Sequence, residues 1–318
     1  MSKVAVQLLS YDGEHFLAKA IAALRAQTSD DFELLVLDNG SADDSAAIVG
    51  NALAGFGRAN ILFREVKNIG FAAGHNKLFA ANAAPYVLCL NQDTVLQPDY
   101  IMQLAAFLDA HPSVGSVSGK LVRETGDIDS AGISLGRFGA VADIGSEQSD
   151  RGQYDGERAV FGVSGAAVMY RRASVDDVSV DGTLFDDTFI SYKEDVDLAW
   201  RLQLRGWESY VIGAAVSVHV RGVKGGAPLR LKGADRQRLS TANHLRMLTK
   251  NLAAPELIRF GVFIAVYEVM KAGYLLIRQP AALMGYADFF HRLPDTLEKR
   301  KVVQTQKTHS ITGWFGRT

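Results

Sequence analysis

The chain has 318 residues, 48% hydrophobic and 22% charged, with a formal net charge of −1. That length allows one large domain or two small ones with ample core. The near-neutral balance supplies no broad field for nucleic acid or anionic lipid, so no nucleic-acid partner is expected. Cys89 is the single cysteine, which excludes an internal disulfide. In the apolar run 86–90 it reads as strand filler in a reducing cytosol. The apolar run 4–9 is too short for a signal peptide, and no uninterrupted apolar run reaches membrane-spanning length.

In chain order, residues 4–9 read as a buried strand, 10–13 as a turn, and 15–27 as a helix with Leu17, Ile21 and Leu24 on one face. A second strand at 32–37 ends in the polar turn 38–45, which offers caps to a helix reaching Leu53. A third strand at 60–66 leads into the polar stretch 68–76, and a helix is expected from there to Ala83. A fourth strand at 86–90 ends in Asn91-Gln92-Asp93-Thr94. Strand and helix alternating with short links predict an α/β fold with a parallel, helix-covered sheet.

Polar residues gather after the ends of successive strands: Tyr11 and Asp12, Asp38 and Asn39, Asn68 and Asn76, Asn91 and Asp93. Open α/β sheets bind ligands at that edge. No Gly-x-Gly-x-x-Gly follows the first strand and no Walker-type loop occurs, which argues against a dehydrogenase or an ATPase. A nucleotide held by side-chain carboxylates and a metal stays open.

Residues 98–110 read as a helix and 114–122 as a strand, and 130–157 as glycine-rich loops with short strands. In 160–170 the small residues Ser164 and Gly165 allow backbone to approach a ligand closely. Residues 185–202 form an aromatic, acidic loop running into a helix. Leu198 and Leu202 share a face with Asp195, Asp197 and Arg201 are an i,i+4 pair, and Arg205-Gly206 closes the helix. Asp195 in the first turn suits a general base held against one proton. Glu194, Asp195 and Asp197 equally suit the helix dipole. Residues 222–233, with four glycines, read as a mobile loop. Helical patterns follow at 236–251, 257–277 and 281–293. They fit either a helical subdomain packed on the core or a helix pair lying in a membrane surface. Lys299-Arg300-Lys301 and the polar tail are expected to fray.

Four stretches together carry a family resemblance: Val36-Leu37-Asp38-Asn39-Gly40-Ser41, residues 68–76, Leu90-Asn91-Gln92-Asp93, and residues 192–201, followed by His219. In order and spacing they resemble the inverting family-2 glycosyltransferases of the GT-A fold, in the rhamnosyltransferase-like branch, over about residues 3–225. The resemblance implies a GT-A catalytic domain at 1–225, with the loop and a C-terminal helical subdomain at 226–318. It implies that Asp38 binds the base or ribose of a donor nucleotide flanked by Tyr11 and Asp12. Asn68, Gly70 and Asn76 would line the donor site, and Arg221 and Lys224 would close over its diphosphate.

The family's metal-binding Asp-x-Asp is Asn91-Gln92-Asp93 here, so Asp93 is the implied ligand and Asn91 an auxiliary contact. His219 would complete the site for Mn²⁺ or Mg²⁺, a weak protein site filled together with the donor's phosphates. Asp195, with Glu194 beside it, would be the catalytic base, and Ser164, Gly165 and Asp187 would line the acceptor pocket.

The implied activity is transfer of a hexose, rhamnose among the candidates, from a dTDP- or UDP-linked sugar. The acceptor would be a hydroxyl of a glycan or polyprenyl-linked saccharide in cell-surface polysaccharide assembly. The enzyme would be cytoplasmic or peripheral on the inner face of the membrane. Two rivals stay open: a catalytically silent sugar-nucleotide-binding protein, given Asn91, and a nucleotidyltransferase, which lacks its basic, glycine-rich loop here.

Overall fold

The computed structural model describes residues 2–220 and 233–317. Its first part is the expected alternation: β1 (Val4–Ser10), α1 (Glu14–Arg25), β2 (Phe32–Asp38), α2 (Ser45–Leu53), β3 (Asn60–Arg64), α3 (Phe71–Ala80), β4 (Tyr86–Asn91), β5 (Thr94–Leu96) and α4 (Tyr100–Ala110). Then come β6 (Val114–Val122), β7 (Ile128–Ser130), β8 (Ile133–Leu135), β9 (Val141–Asp143), β10 (Glu157–Val160), β11 (Ala167–Arg171), α5 (Arg172–Val178), α6 (Glu194–Arg205) and β12 (Glu208–His219). The last part is helical: α7 (Gly233–Asn251), α8 (Ala254–Arg278), α9 (Met284–His291) and α10 (Leu293–Gln306).

The main sheet runs β10-β12-β6-β11-β4-β1-β2-β3. Strands β4, β1, β2 and β3 are parallel, as are β6 and β12, while β11 enters antiparallel between β4 and β6. All seven residues of β1 are buried, as expected of a central strand covered by helices on both faces. Cys89 is buried in β4, the filler that the sequence suggested. The register aligns Ser10 with Asp38 and Leu9 with Asn91, so β1, β2 and β4 end together at one edge.

Helix α6 is anchored as its apolar spacing predicts. Leu198 and Leu202 sit in a cluster with Tyr170, Phe185 and Val211, and Trp200 sits in another with Phe161 and Phe315. Burial of each such side chain contributes about 1.5–3 kcal/mol. Gly206 ends the helix in the left-handed conformation, its N–H bonding to carbonyls of the last turn.

Three expectations change. The stretch 68–76 is not all loop: α3 begins at Phe71, which puts Asn76 on a helix. The tail does not fray. Lys299 is buried and bonds Asp186, His309 N–H donates to the Leu204 carbonyl, and Phe315 stacks on Phe260 at 4.3 Å. Lys299 is held because buried Asp186 needs positive charge nearby. Third, by length and composition α8 is long and apolar enough to cross a membrane, despite Arg259, Glu268 and Lys271. Its polar Glu268 is turned inward, paired with buried His244 on α7 at 3.0 Å. The outer face exposes Ile258, Val262, Val269, Leu276 and Ile277.

Candidate active site

The edge where β1, β2 and β4 end is built by backbone-mimicking side chains. Gln92, just past β4, accepts from the Tyr11 N–H at 2.9 Å and donates to the Tyr11 carbonyl at 3.0 Å. That reciprocal pair fixes the turn after β1. A Cβ on Gly13 would fall 2.1 Å from the Gln92 side-chain oxygen, so a larger residue there would displace that amide from Tyr11. Asn39, just past β2, donates to Asn68 Oδ1 at 3.1 Å and to the Gly70 carbonyl at 3.2 Å, and accepts from Ile69 N–H. Gly70 has φ +94°, and a Cβ there would meet the Ile190 carbonyl oxygen at 2.9 Å. Glycine thus lets the start of α3 close against the loop before α6.

Asp93 and His219 come together because β5 pairs antiparallel with the end of β12, with Thr94 opposite His219. His219 Nε2 faces Asp93 Oδ1 at 3.3 Å, and its Nδ1 lies 2.8 Å from Oδ2 of Asp129, a fully buried carboxylate in the middle of β7. Arg123 Nε donates to the other Asp129 oxygen at 3.2 Å. Burial works against charge on His219, but the nearby carboxylates of Asp129 and Asp93 outweigh it and push its pKa up to about 9. Asp93 Oδ1 is buried with no hydrogen-bond partner among the described residues. An orphaned carboxylate oxygen facing an imidazole suits a shared cation, whose neighbouring ligands at about 2.1 Å stand roughly 3 Å apart. Asp129 supplies the outer partner that metal-bound imidazoles usually have. Among the described residues no three His, Cys, Asp or Glu side chains are arranged to hold an ion by themselves. The set therefore fits a hard divalent ion that takes its remaining ligands from elsewhere.

Asp195 opens α6. Its Oδ2 accepts from Gly165 N–H at 2.9 Å and its Oδ1 from Val196 N–H at 2.8 Å. Glu194 is buried, and its Oε2 has no hydrogen-bond partner among the described residues. Burial, then the neighbouring Asp195 carboxylate, pushes the Glu194 pKa up to about 8. Burial also raises Asp195, against the two backbone N–H groups that favour its charged form. A carboxyl pair shifted toward neutral pH is poised for proton transfer.

Two cavities meet at this pair. One of about 190 Å³ is lined by Tyr11, Asn39, Asn68, Asn91, Gln92 and His219 on the sheet edge, and by Ser164, Gly165, Glu194 and Asp195 opposite. The other, of about 370 Å³, shares Ser164, Tyr192, Glu194 and Asp195 and is otherwise lined chiefly by Asp143, Lys193, Arg236 and Ser240. Asp195 stands where the two adjoin.

The structure thus gathers Tyr11, Asn68, Asn91, His219, Ser164, Gly165, Glu194 and Asp195 around one space, with Asp93 behind His219. Asp38 is buried at the rim, its Oδ1 accepting from Ser41 N–H, and Asp12 accepts from Ala42 N–H at 2.8 Å. Asp12, Asp38, Gly70, Asn76, Asp93 and Asp187 line neither cavity. The Asn76 amide is spent on both the N–H and the carbonyl of Phe185, each at 2.8 Å, so it clamps the loop instead. Asp187 is exposed, pointing toward Lys299 at 4.0 Å. Arg221 and Lys224 lie outside the described residues. Sequence reasoning gave no role to Gln92, Asn39 or Asp129. The strand-end position signalled the first two, whereas Asp129 lies in an irregular stretch that carries no such signal.

Comparison with known proteins decides the family. Residues 6–179, more than half of the chain, match the family model described as Glycosyl transferase family 2. The chain belongs to glycosyl transferase family 2. The chain is 27% identical over 190 residues to the uncharacterized protein y4gI of Sinorhizobium fredii, covering 56% of this chain and 20% of that one. It is 22% identical over 265 residues to poly-beta-1,6-N-acetyl-D-glucosamine synthase of Staphylococcus aureus, covering 82% of this chain and 59% of that one. The chain therefore spans only part of these curated relatives. Among solved structures it resembles S. aureus TarS 1-349 in complex with UDP-GlcNAc, with TM-score 0.61, 16% identity, and 95% and 91% of the two chains covered. It also resembles the mannosyltransferase PcManGT from Pyrobaculum calidifontis with GDP-Man and Mn²⁺, with TM-score 0.56, 15% identity, and coverage of 96% and 85%. At these identities the likeness establishes the GT-A fold.

Proposed function

We propose that this glycosyltransferase moves a hexose, rhamnose among the candidates, from a nucleoside-diphosphate sugar to a saccharide hydroxyl, with inversion. The observation that carries the reading is the place of Asp195 between the two cavities. The cavity on the sheet edge lies at the strand ends of an α/β sheet, where ligands of such sheets bind, with Asn39, Asn68, Asn91 and Gln92 in its wall. The larger cavity takes the acceptor, its hydroxyl reaching Asp195 past Ser164. Asp195 removes the hydroxyl proton as the oxygen attacks the anomeric carbon. With no enzyme nucleophile in that displacement, the configuration inverts. Asp93 and His219 hold a divalent ion, Mn²⁺ or Mg²⁺, with Asn91 as an auxiliary contact. When bound, the ion offsets the charge that gathers on the leaving diphosphate. Asp38 and Tyr11 contact the nucleoside. Solved neighbours bound to UDP-GlcNAc and to GDP-Man with Mn²⁺ support a nucleotide-sugar donor and a divalent ion.

The catalytic part at 1–225 and the helical part at 226–318 work as one unit, placed on the cytoplasmic side. A membrane-linked acceptor is favoured by the exposed apolar face of α8, which lies flat against lipid with Arg259 at its rim. Flotation with anionic liposomes tests this contact: the chain should float, and replacing Ile258, Val262 and Val269 with serine should abolish flotation. If a chain truncated near residue 235 floats equally well, the contact lies elsewhere. The activity is tested by incubating the chain with dTDP-rhamnose, UDP-GlcNAc and GDP-mannose with Mn²⁺ or with EDTA. Metal-dependent release of the nucleoside diphosphate from one of them is expected. Binding of a donor with no turnover under any condition would favour the silent-binder reading.

A further inference from the structure

One buried side chain of the C-terminal helices grips the loop that leads into the site. Asn243, on α7, is fully buried. Its Nδ2, with two N–H donors, lies within hydrogen-bond distance of three carbonyls of a single loop: Phe189 at 2.7 Å, Ser191 at 2.9 Å and Tyr192 at 2.9 Å. Its Oδ1 accepts from Arg246 Nη1 at 2.7 Å, and the same nitrogen of Arg246 donates to the Thr188 carbonyl at 3.1 Å.

The loop so held is conformationally costly. Ile190, Tyr192 and Lys193 have φ of 61°, 71° and 74°, and none is glycine. Each such residue costs of order 1–3 kcal/mol and persists only where its surroundings over-determine it. On the other side the Ile190 carbonyl accepts from Phe71 N–H at 2.7 Å and Ala72 N–H at 3.1 Å, where Gly70 permits the close approach. The loop is therefore gripped between α3 and α7. Its last strained residue, Lys193, is the residue from which α6 starts, and the next two are Glu194 and Asp195.

We propose that Asn243 is a positioning residue of the transfer reaction: by holding the carbonyls of Phe189, Ser191 and Tyr192 it fixes the loop that aims Glu194 and Asp195 into the site. This rests on the reading of Asp195 as the base. Asn243 touches neither cavity, so it acts on rate through the carboxylates and leaves donor binding alone.

Asn243→Asp tests it, since aspartate keeps the shape and the acceptor for Arg246 and loses both N–H donors. Asn243→Ser serves where the aspartate variant does not fold. Arg300→Ala, which frees only the Thr249 and Leu252 carbonyls, is the stability control. In hydrogen exchange, the amides of 188–195 should exchange faster in the Asn243 variant than in the control, while the rest of α6 stays protected. Unchanged exchange there overturns the proposal whatever the activity.

In turnover of the donor panel with Mn²⁺, kcat should fall about 10–100-fold with donor KM within about threefold. The loss should vanish in an Asp195→Asn background, because residues acting as one unit are not additive. If Asp195→Asn is slow and the Asn243 loss persists beside it, the positioning role is overturned and the base survives. If Asp195→Asn turns over at the wild-type rate, the base reading falls, and the positioning of a base falls with it.

Discussion

The backbone N–H of Gly165 donates to Asp195 Oδ2 across 2.9 Å, tying the segment before β11 to the first turn of α6. The carboxylate so tied belongs to a residue that lines both cavities. Its other oxygen is held by Val196 N–H. A base needs this sort of restraint more than it needs an unusual pKa, because a misplacement of about 1 Å costs on the order of 100-fold in rate.

The Asp129–His219–Asp93 chain predicts that Asp129 sets the metal response without touching the ion. Replacing it with asparagine removes the negative charge and leaves one acceptor oxygen for both the imidazole and Arg123. The divalent-ion concentration for half-maximal donor turnover should rise about 10–100-fold. A titration with Mn²⁺ on the Asp129→Asn variant measures this, and an unchanged midpoint would remove Asp129 from the metal response.

Lys250 is the hub of a buried charge network. Its Nζ lies 2.5 Å from Asp186 and 2.9 Å from Asp197. Asp197 also takes Arg201 at 3.1 Å and Asn251 at 2.8 Å. Burial would raise the Asp186 carboxyl, but Lys250 and then Lys299 hold it well below the usual carboxylate range. Lys250→Met leaves two buried carboxylates short of positive charge and should cost about 3–5 kcal/mol. Urea unfolding reads the loss, and a change under about 1 kcal/mol would mean that the site is wetter than its burial indicates.

The carboxyl of Glu194 makes a pH prediction. Its pKa stands at about 8 in the folded chain against an ordinary 4.5. Between these values the folded state holds the extra proton, so stability falls as pH rises. The contribution is full below 4.5 and is lost as pH passes through about 8. His219, raised from 6.5 to about 9, acts in the same direction over its own window. Glu194→Gln should therefore flatten the decline of Tm between about pH 5 and 8 and leave the part toward pH 9. Parallel curves for the two proteins would mean that Glu194 titrates normally.

Much of this site was legible in the chain because strand ends in an α/β sheet converge by construction. Tyr11, Asn68, Asn91 and Asp93 needed only the alternation of strands and helices to be placed on one edge. His219 followed from its position at the end of the last strand. Asn76, expected along the donor site, lies on the helix that starts at Phe71, and its amide bonds Phe185. Asp129, Lys250 and Asn243 left no local trace. Their partners are 90, 64 and about 50 residues away, and nothing in periodicity or capping announces a contact of that range. Lys299 misled for the same reason, since a basic run reads as solvated until a buried Asp186 is known to face it.

Asp195→Asn measures the central claim most directly. The change keeps size and shape and removes the capacity to take a proton. Thermal shift with UDP-GlcNAc, GDP-mannose and dTDP-rhamnose in Mn²⁺ should show the same donor-induced stabilisation as the parent chain. Turnover of the preferred donor should fall about 100- to 10,000-fold. Turnover within a few-fold of the parent, with binding intact, would contradict the account and return Asp195 to the role of a helix-capping acid.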